Sequence, residues 1–354
     1  MKEHTEVTIY DIAKKLNLAT STISRGLKDH HSISKKTIDK IKKTAAEMGY
    51  RPNNLAASLR SKKTKTIGVL VPTITQPFLS SLISGIEVTA NKAGYNVVIM
   101  QSHDSYLEEV SLTKSLYSNR VSGVICSLAM ETVDTNHFNL FIDANIPLVF
   151  VDRVPNSFNT FRVVIDNFES GYIATKHLIS QGCKRIAHIT AGSEYSIYNE
   201  RKKGYLEALK EFNLPIEEEL IIKVGGITYE EAEKASYKLL SLENRPDGIF
   251  APGDILGVSA IQCAKKMRIK VPEELSVIGF NNDPISYIID PNLSTITHPA
   301  SKMGQTSAEI ILKNLKPNKK KYEIKEMTFL KTEVLARESS DKKRLLNVNS
   351  SLKI

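Results

Sequence analysis

"TIYDIAKKLNLATSTISRGL", residues 8–27, places two short helical patterns on either side of a polar break at Asn17 to Ser21. Ile9, Ile12, Ala13 and Leu16 keep helical spacing before the break, and Thr22, Ile23, Ser24 and Leu27 keep it afterwards. A third, longer pattern follows in "SKKTIDKIKKTAAEMGY", with Ser34 as N-cap, Gly49 near the end, and Ile38, Ile41, Ala45 and Met48 as its apolar stripe. Three helices around so small a core make a marginal domain of about 45 residues, the size of a helix-turn-helix module. In such a module the second helix enters the major groove and its first residues reach base edges. Thr20, Ser21, Thr22 and Ser24 are short polar groups suited to close approach. Arg25 can donate two parallel hydrogen bonds to guanine. Lys28, Lys35, Lys36, Lys42 and Lys43 are candidates for phosphate contact. His30 and His31 read as a polar turn and not as a metal site.

The charge distribution agrees. Residues 1–65 hold 15 Lys and Arg against 6 Asp and Glu; of the chain's 48 and 39 this leaves 33 of each for the remainder, so the whole excess of +9 lies at the front. Such asymmetry implies a polyanionic partner. No apolar run approaches the ~18 residues of a membrane span, and the first residues lack a signal-peptide pattern. A cytoplasmic, nucleoid-associated protein without membrane contact is expected. Cys126, Cys183 and Cys263 are too scattered for a disulfide framework or a CxxC metal site.

After Lys65 the pattern changes. "TIGVLVP" is a nearly continuous apolar run, as in a buried parallel strand. Strand-like runs then recur ("YNVVIMQS", "VSGVICSL", "IPLVFVD", "RIAHIT", "DGIFAP", "LSVIGF") with amphipathic helical stretches between them. Alternation of this kind predicts doubly wound α/β lobes, here two, with ligands at the carboxyl ends of the strands. There is no GxGxxG after a strand, no Walker loop and no GxSxG elbow. Cys183 and His188 lack a third catalytic partner. The chain is expected to be no enzyme and to need neither cofactor nor metal.

These features together resemble the lactose/galactose-repressor (LacI/GalR) family. The opening helix-turn-helix, "GYRPN", "LAASLRSKKTKTIGVLVP", "VDRV", "HLISQGCKRIAHI", "IKVPEELSVIGFNND" and "PNLSTITHPASKMGQTSAEIIL" carry the likeness, over residues 7 to about 337. The fold class it implies is an N-terminal all-α helix-turn-helix domain plus a periplasmic-binding-protein-like core of two doubly wound parallel-sheet lobes. The domains implied are 1–50, DNA-binding; 51–65, hinge helix and linker; and 66–337, the effector-binding and dimerisation core. Within the core the first lobe would take about 66–165 and 294–323, and the second about 166–293 and 324–337. Residues 338–354 are expected to be a disordered tail.

The resemblance also implies site residues. Thr8 and Tyr10 join Thr20, Ser21, Thr22, Ser24 and Arg25 in DNA contact. Asn53 and Ala56 face DNA from the hinge, and Leu59 wedges into a central base step. An effector, a sugar or sugar phosphate, would be held by Pro77, Phe78, Asp152, Arg201, Ile227, Asp254, Asn281 and His298. The partners implied are a near-palindromic double-stranded operator, that small effector and a second copy of the chain. Three residues depart from the family pattern. Ala19 replaces the usual serine cap, a loss of roughly 1 kcal/mol. Gly26 replaces valine or alanine, which would loosen the helix by about 1 kcal/mol. Gly253 in "APGD" replaces an amide, which leaves room for a protein effector as an alternative. A solute-binding protein is the remote alternative, at odds with the basic helical head.

Overall fold

The computed structural model describes residues 7–50, 64–155, 159–191, 197–315 and 326–342. The chain divides into two compact units, Met1–Thr64 and Lys65–Ile354.

The first unit contains α1 (Ile9–Leu16), α2 (Thr20–Gly26) and α3 (Lys35–Glu47). Its core is Ile12, Ala13, Ile23, Ile41 and Ala45, with Leu16, Leu27 and Met48 packed around them. Three of the helix ends have a clear local cause. Thr8 donates its N–H (2.8 Å) and hydroxyl (2.7 Å) to the Asp11 carboxylate, fixing the start of α1. These bonds hold the Asp11 carboxyl below its ordinary range. Asn17 takes the left-handed conformation (φ 50°) that ends α1. The Ser34 hydroxyl accepts from Thr37 N–H at 3.3 Å and caps α3. Ala19 occupies the N-cap of α2 and supplies no side-chain cap. Gly26 has a packing reason that its helix propensity hides: it is buried, and a Cβ there would lie 2.5 Å from Ile41 Cδ1. Beside the helix-propensity cost expected of Gly26 stands this packing role: its missing side chain leaves room for Ile41 in the core.

The second unit is built on two six-stranded sheets. The first has the order β11-β5-β4-β3-β1-β2, with β1 Thr66–Val71, β2 Asn96–Gln101, β3 Gly123–Cys126, β4 Leu148–Val151, β5 Phe161–Ile165 and β11 Met327–Leu330. The second has the order β12-β10-β9-β8-β6-β7, with β6 Ile186–Ala191, β7 Ile221–Val224, β8 Gly248–Phe250, β9 Ser276–Asn281, β10 Ser294–Thr297 and β12 Val334–Leu335. Pairing is parallel throughout except β10 with β12. The apolar runs of the sequence become buried strands. The exception is β2, an edge strand whose Val98 and Ile99 are exposed. Helices Asn167–Ser180 and Ile197–Glu211 approach backbone to backbone at Gly171 and Gly204; a Cβ on Gly171 would run into the carbonyl of Arg201.

Two boundaries are corrected. The resemblance puts the stretch from residue 294 in the first lobe, yet β10 pairs with β9 in the second sheet. The crossing falls after Thr297, and helix Ala300–Asn314 then packs on the first lobe. The return also falls later than residue 324, because β11 pairs with β5 in the first sheet. Short strands that separate lobe membership from chain order leave no periodic signal. Of the tail expected from residue 338, residues 338–342 are ordered, and the rest lies outside the described residues. Ser339 and Ser340 are fully buried, Ser339 O accepts from Val277 N–H (2.8 Å), and Ser339 Oγ donates to Val277 O (2.6 Å). Here hydroxyls, which sequence reading counts as polar loop, tie this segment to the starts of β9 and β10. The hinge expected at 51–65, with Asn53, Ala56 and Leu59, lies outside the described residues except for its last two positions.

Candidate nucleic-acid interface and effector site

The DNA-reading candidates of the first unit lie on and beside α2. Ser21 and Arg25, one helical turn apart, are exposed, and neither side chain makes a hydrogen bond or ion pair to any described residue. Thr20, Thr22 and Ser24 are half-buried around them, while Ile23 points into the core. Tyr10, on the first turn of α1, is 71% exposed, a large ring left in water. Thr8 is engaged with Asp11 and acts first as a helix start. Lys42 is withdrawn from the phosphate candidates in this conformation, since it pairs with Asp29 at 2.7 Å. His30 Nδ1 accepts from Ser32 N–H (3.2 Å), and the ring stacks on His31, the geometry of a polar turn.

In the second unit the carboxyl ends of strands from both sheets converge. Asp152 follows β4 with φ +62°, and Asn281 ends β9 with φ +107°. Both conformations are unfavourable for a residue with a Cβ, and such strain concentrates where a side chain must be aimed. Between them lies His298, in the segment that crosses from β10 to helix Ala300–Asn314. Its ring stacks on Phe78 (centroids 3.9 Å apart) and meets Phe280 edge-on (5.7 Å). Its Nε2 is 3.7 Å from Asp152 Oδ1, and its Nδ1 is 3.1 Å from Asn281 Oδ1. Phe78 owes its place to Pro77, which opens helix Pro77–Lys92 where a missing N–H does no harm.

Arg201 approaches from the second lobe. It is 2% exposed, and its guanidinium lies 3.5 Å from the centroid of the Phe280 ring. Nε donates to Asn167 Oδ1 (3.0 Å) and Nη1 to Pro252 O (2.9 Å). Burial pulls its pKa down to about 10 against the attraction of Tyr198 and Asp152. Burial likewise pushes the Asp152 carboxyl above its ordinary range, against the pull of Arg153 and Arg201. Arg153 is itself tied to Asp104 (2.5 Å). A cavity of about 420 Å³ opens beside this cluster, lined among others by Pro77, Phe78, Asn281, Asn282 and His298.

Six of the eight expected effector residues therefore belong to one neighbourhood, in which Pro77, Phe78, Asn281 and His298 line the cavity and Asp152 and Arg201 back it. Asp254 has a different place. It is fully buried, with Oδ1 accepting from Thr295 Oγ1 (2.7 Å) and Oδ2 from Asp283 N–H (2.6 Å). It brackets helix Asp254–Lys266 to β10 and the loop after β9. Ile227 packs near Gly253 against the second-lobe core. Phe280 was not singled out from sequence, although it precedes Asn281. A buried strand residue and a ring that carries an arginine look alike in a string of letters. Asn167, which orients Arg201, was missed for the same reason.

The described residues contain no helix long and apolar enough to cross a membrane. The three cysteines are free and buried. Residues 8–53 match the family profile "Bacterial regulatory proteins, lacI family", and residues 175–340 match "Periplasmic binding protein-like domain". The chain is 31% identical over 312 residues to the HTH-type transcriptional repressor CytR of Escherichia coli (strain K12), across 88% of this chain and 90% of CytR. The solved transcriptional regulator CelR–cellobiose complex aligns with a TM-score of 0.70 at 25% identity, covering 94% of this chain and 100% of that one. The lac repressor dimer bound to operator and the anti-inducer ONPF aligns at 0.84 and 21% identity, over 95% of this chain and 99% of the other, a likeness of fold. With the helix-turn-helix, the two parallel-sheet lobes and a relative of this identity over most of its length, the chain belongs to the lacI family of bacterial regulatory proteins and is a DNA-binding transcription regulator.

Proposed function

We propose that the chain acts as a cytoplasmic homodimer that reads a near-palindromic operator, and that a small polyhydroxylated molecule, a sugar or sugar derivative, sets its operator affinity. In this reading α2 lies in the major groove, Arg25 reads a guanine, and Thr20, Ser21, Thr22 and Ser24 contact backbone and base edges. Thr8 and Tyr10 meet the flanking phosphates. Residues 51–65 form the hinge, with Asn53 and Ala56 toward DNA and Leu59 as the wedge. The apolar residues left exposed on edge strand β2, Val98 and Ile99, suit a contact with a second copy.

The observation that carries the effector reading is the convergence of Phe78 and Asp152 from one lobe with Arg201, Phe280 and Asn281 from the other on the crossover residue His298. A molecule that binds both halves better in one lobe arrangement than in another shifts the balance between them, and the crossovers carry that shift through the core. The CelR complex holds cellobiose, which supports a sugar here. Thermal unfolding of the full chain with a panel of neutral sugars and sugar phosphates tests the reading. A ligand that raises the melting temperature of the wild type and not of Arg201→Ala is expected; a panel without any shift would reject the small-molecule effector.

A further inference from the structure

The protonation pattern around His298 specifies what the effector must offer. Asn281 Nδ2 faces the Asp283 carboxylate at 3.5 Å, and the opposite amide orientation would set two oxygens against each other. Asn281 therefore turns its carbonyl to His298 Nδ1, 3.1 Å away. A carbonyl only accepts, so Nδ1 carries the proton. The ring is neutral: burial and the positive charge of Arg201 hold its pKa well below the ordinary value. A neutral ring protonated at Nδ1 has a bare lone pair at Nε2. That atom is buried without a hydrogen-bond partner among the described residues. Across from it, at 3.7 Å, stands Asp152 Oδ1. The gap is too long for a hydrogen bond even if the carboxyl were protonated. Two acceptors thus face one another in a nearly dry place, and an unmet buried acceptor is expensive.

We infer that His298 Nε2 and the Asp152 carboxylate form a paired acceptor for two adjacent hydroxyl donors of the effector, a vicinal diol. The inference rests on the small-molecule reading above and narrows it. Each hydroxyl donates to one acceptor, and Phe78 lies beside them as an apolar wall. A phosphate or carboxylate at this end of the ligand would bring only lone pairs and negative charge toward Asp152, so an anionic group, where present, sits elsewhere on the molecule. His298 is then a specificity-determining residue. Its tautomer is set by the relay Asp283–Asn281–His298, with the polarity running from carboxylate to bare nitrogen.

Calorimetric titration of the full chain tests this with D-glucose, D-galactose, D-xylose, D-ribose and cellobiose, each beside its monodeoxy analogues. The sugar that binds is expected to lose about tenfold or more in affinity when one hydroxyl of a single adjacent pair is removed. In His298→Phe, which keeps a ring on Phe78 but removes the acceptor, that loss should shrink to about twofold. Asp152→Asn, which keeps the shape, should also blunt it and serves if His298→Phe does not fold. Monodeoxy analogues that all bind like their parent, or a discrimination unchanged in both variants, would overturn the diol pairing while leaving a sugar effector in place. Failure of every sugar to bind, together with no thermal shift from the sugars and sugar phosphates of the wider panel, would remove the small-molecule reading itself, and the pairing with it.

Discussion

A guanidinium with almost no access to water needs its charge met from several sides, and Arg201 meets it with a ring face, an amide oxygen and a backbone carbonyl. A lysine ammonium cannot lie flat on Phe280 while donating in two directions. Arg201→Lys should therefore weaken effector binding by about tenfold or more, read by calorimetry with the sugar that shifts the wild type. Asp254 gives a prediction in pH. Burial, outweighing its hydrogen bonds to Thr295 and Asp283, raises its pKa from 3.8 to about 8. A carboxyl that holds its proton more tightly when folded makes the folded state lose stability as pH rises through that window. The fall in stability between about pH 4 and pH 8 should be shallower in Asp254→Asn, followed by denaturant unfolding across that range; an identical slope would show that Asp254 does not titrate there. At this scale the sequence was partly transparent. Asp152, Asn281 and His298 stand at or just after strand ends, where a side chain is free to point at a ligand, and Arg201 lies in the second turn of helix Ile197–Glu211. Asp254 stands at an element's end too, but is consumed by internal donors that lie 29 and 41 residues away, and no local pattern announces them.

Among the elements, α2 is the one whose ends and packing pull in opposite directions. Its N-cap, Ala19, has the extended backbone of a cap (φ −65°, ψ 143°) without an oxygen to use it. Ala19→Ser should stabilise the first unit by about 0.5–2 kcal/mol, measured by thermal unfolding and by amide exchange over residues 20–26. Gly26→Ala, which would be favourable in an open helix, should gain less than helix propensity alone suggests, because Ile41 has to move. The elements themselves were legible. The 3.6-residue stripes of α1 and α3 and the unbroken apolar runs of the strands are strong local signals, and Ser34 caps α3 as its position implied. What was not legible was allegiance. The strands at 294–297 and 327–330 exchange lobes against their order in the chain, because pairing between short strands is settled by partners remote in sequence.

Over the whole molecule, charge and topology divide the work. The excess positive charge precedes residue 66 and belongs to a polyanion, while the balanced remainder encloses the buried cluster of His298. Affinity for any DNA should fall steeply with salt, since phosphate contacts release counterions; preference among sequences should depend on Arg25, whose replacement by alanine should relax one position per half-site at about 1–3 kcal/mol. The measurement that tests the central claim most directly is selection of bound duplexes from a random pool by the full chain, at near-physiological salt, with and without the sugar that stabilises it. A two-fold symmetric sequence whose recovery changes by about tenfold or more with the sugar is the predicted result. Recovery without sequence preference under both conditions, or a preferred sequence indifferent to the sugar, would contradict a regulator whose reading of DNA is governed from the cleft between its lobes.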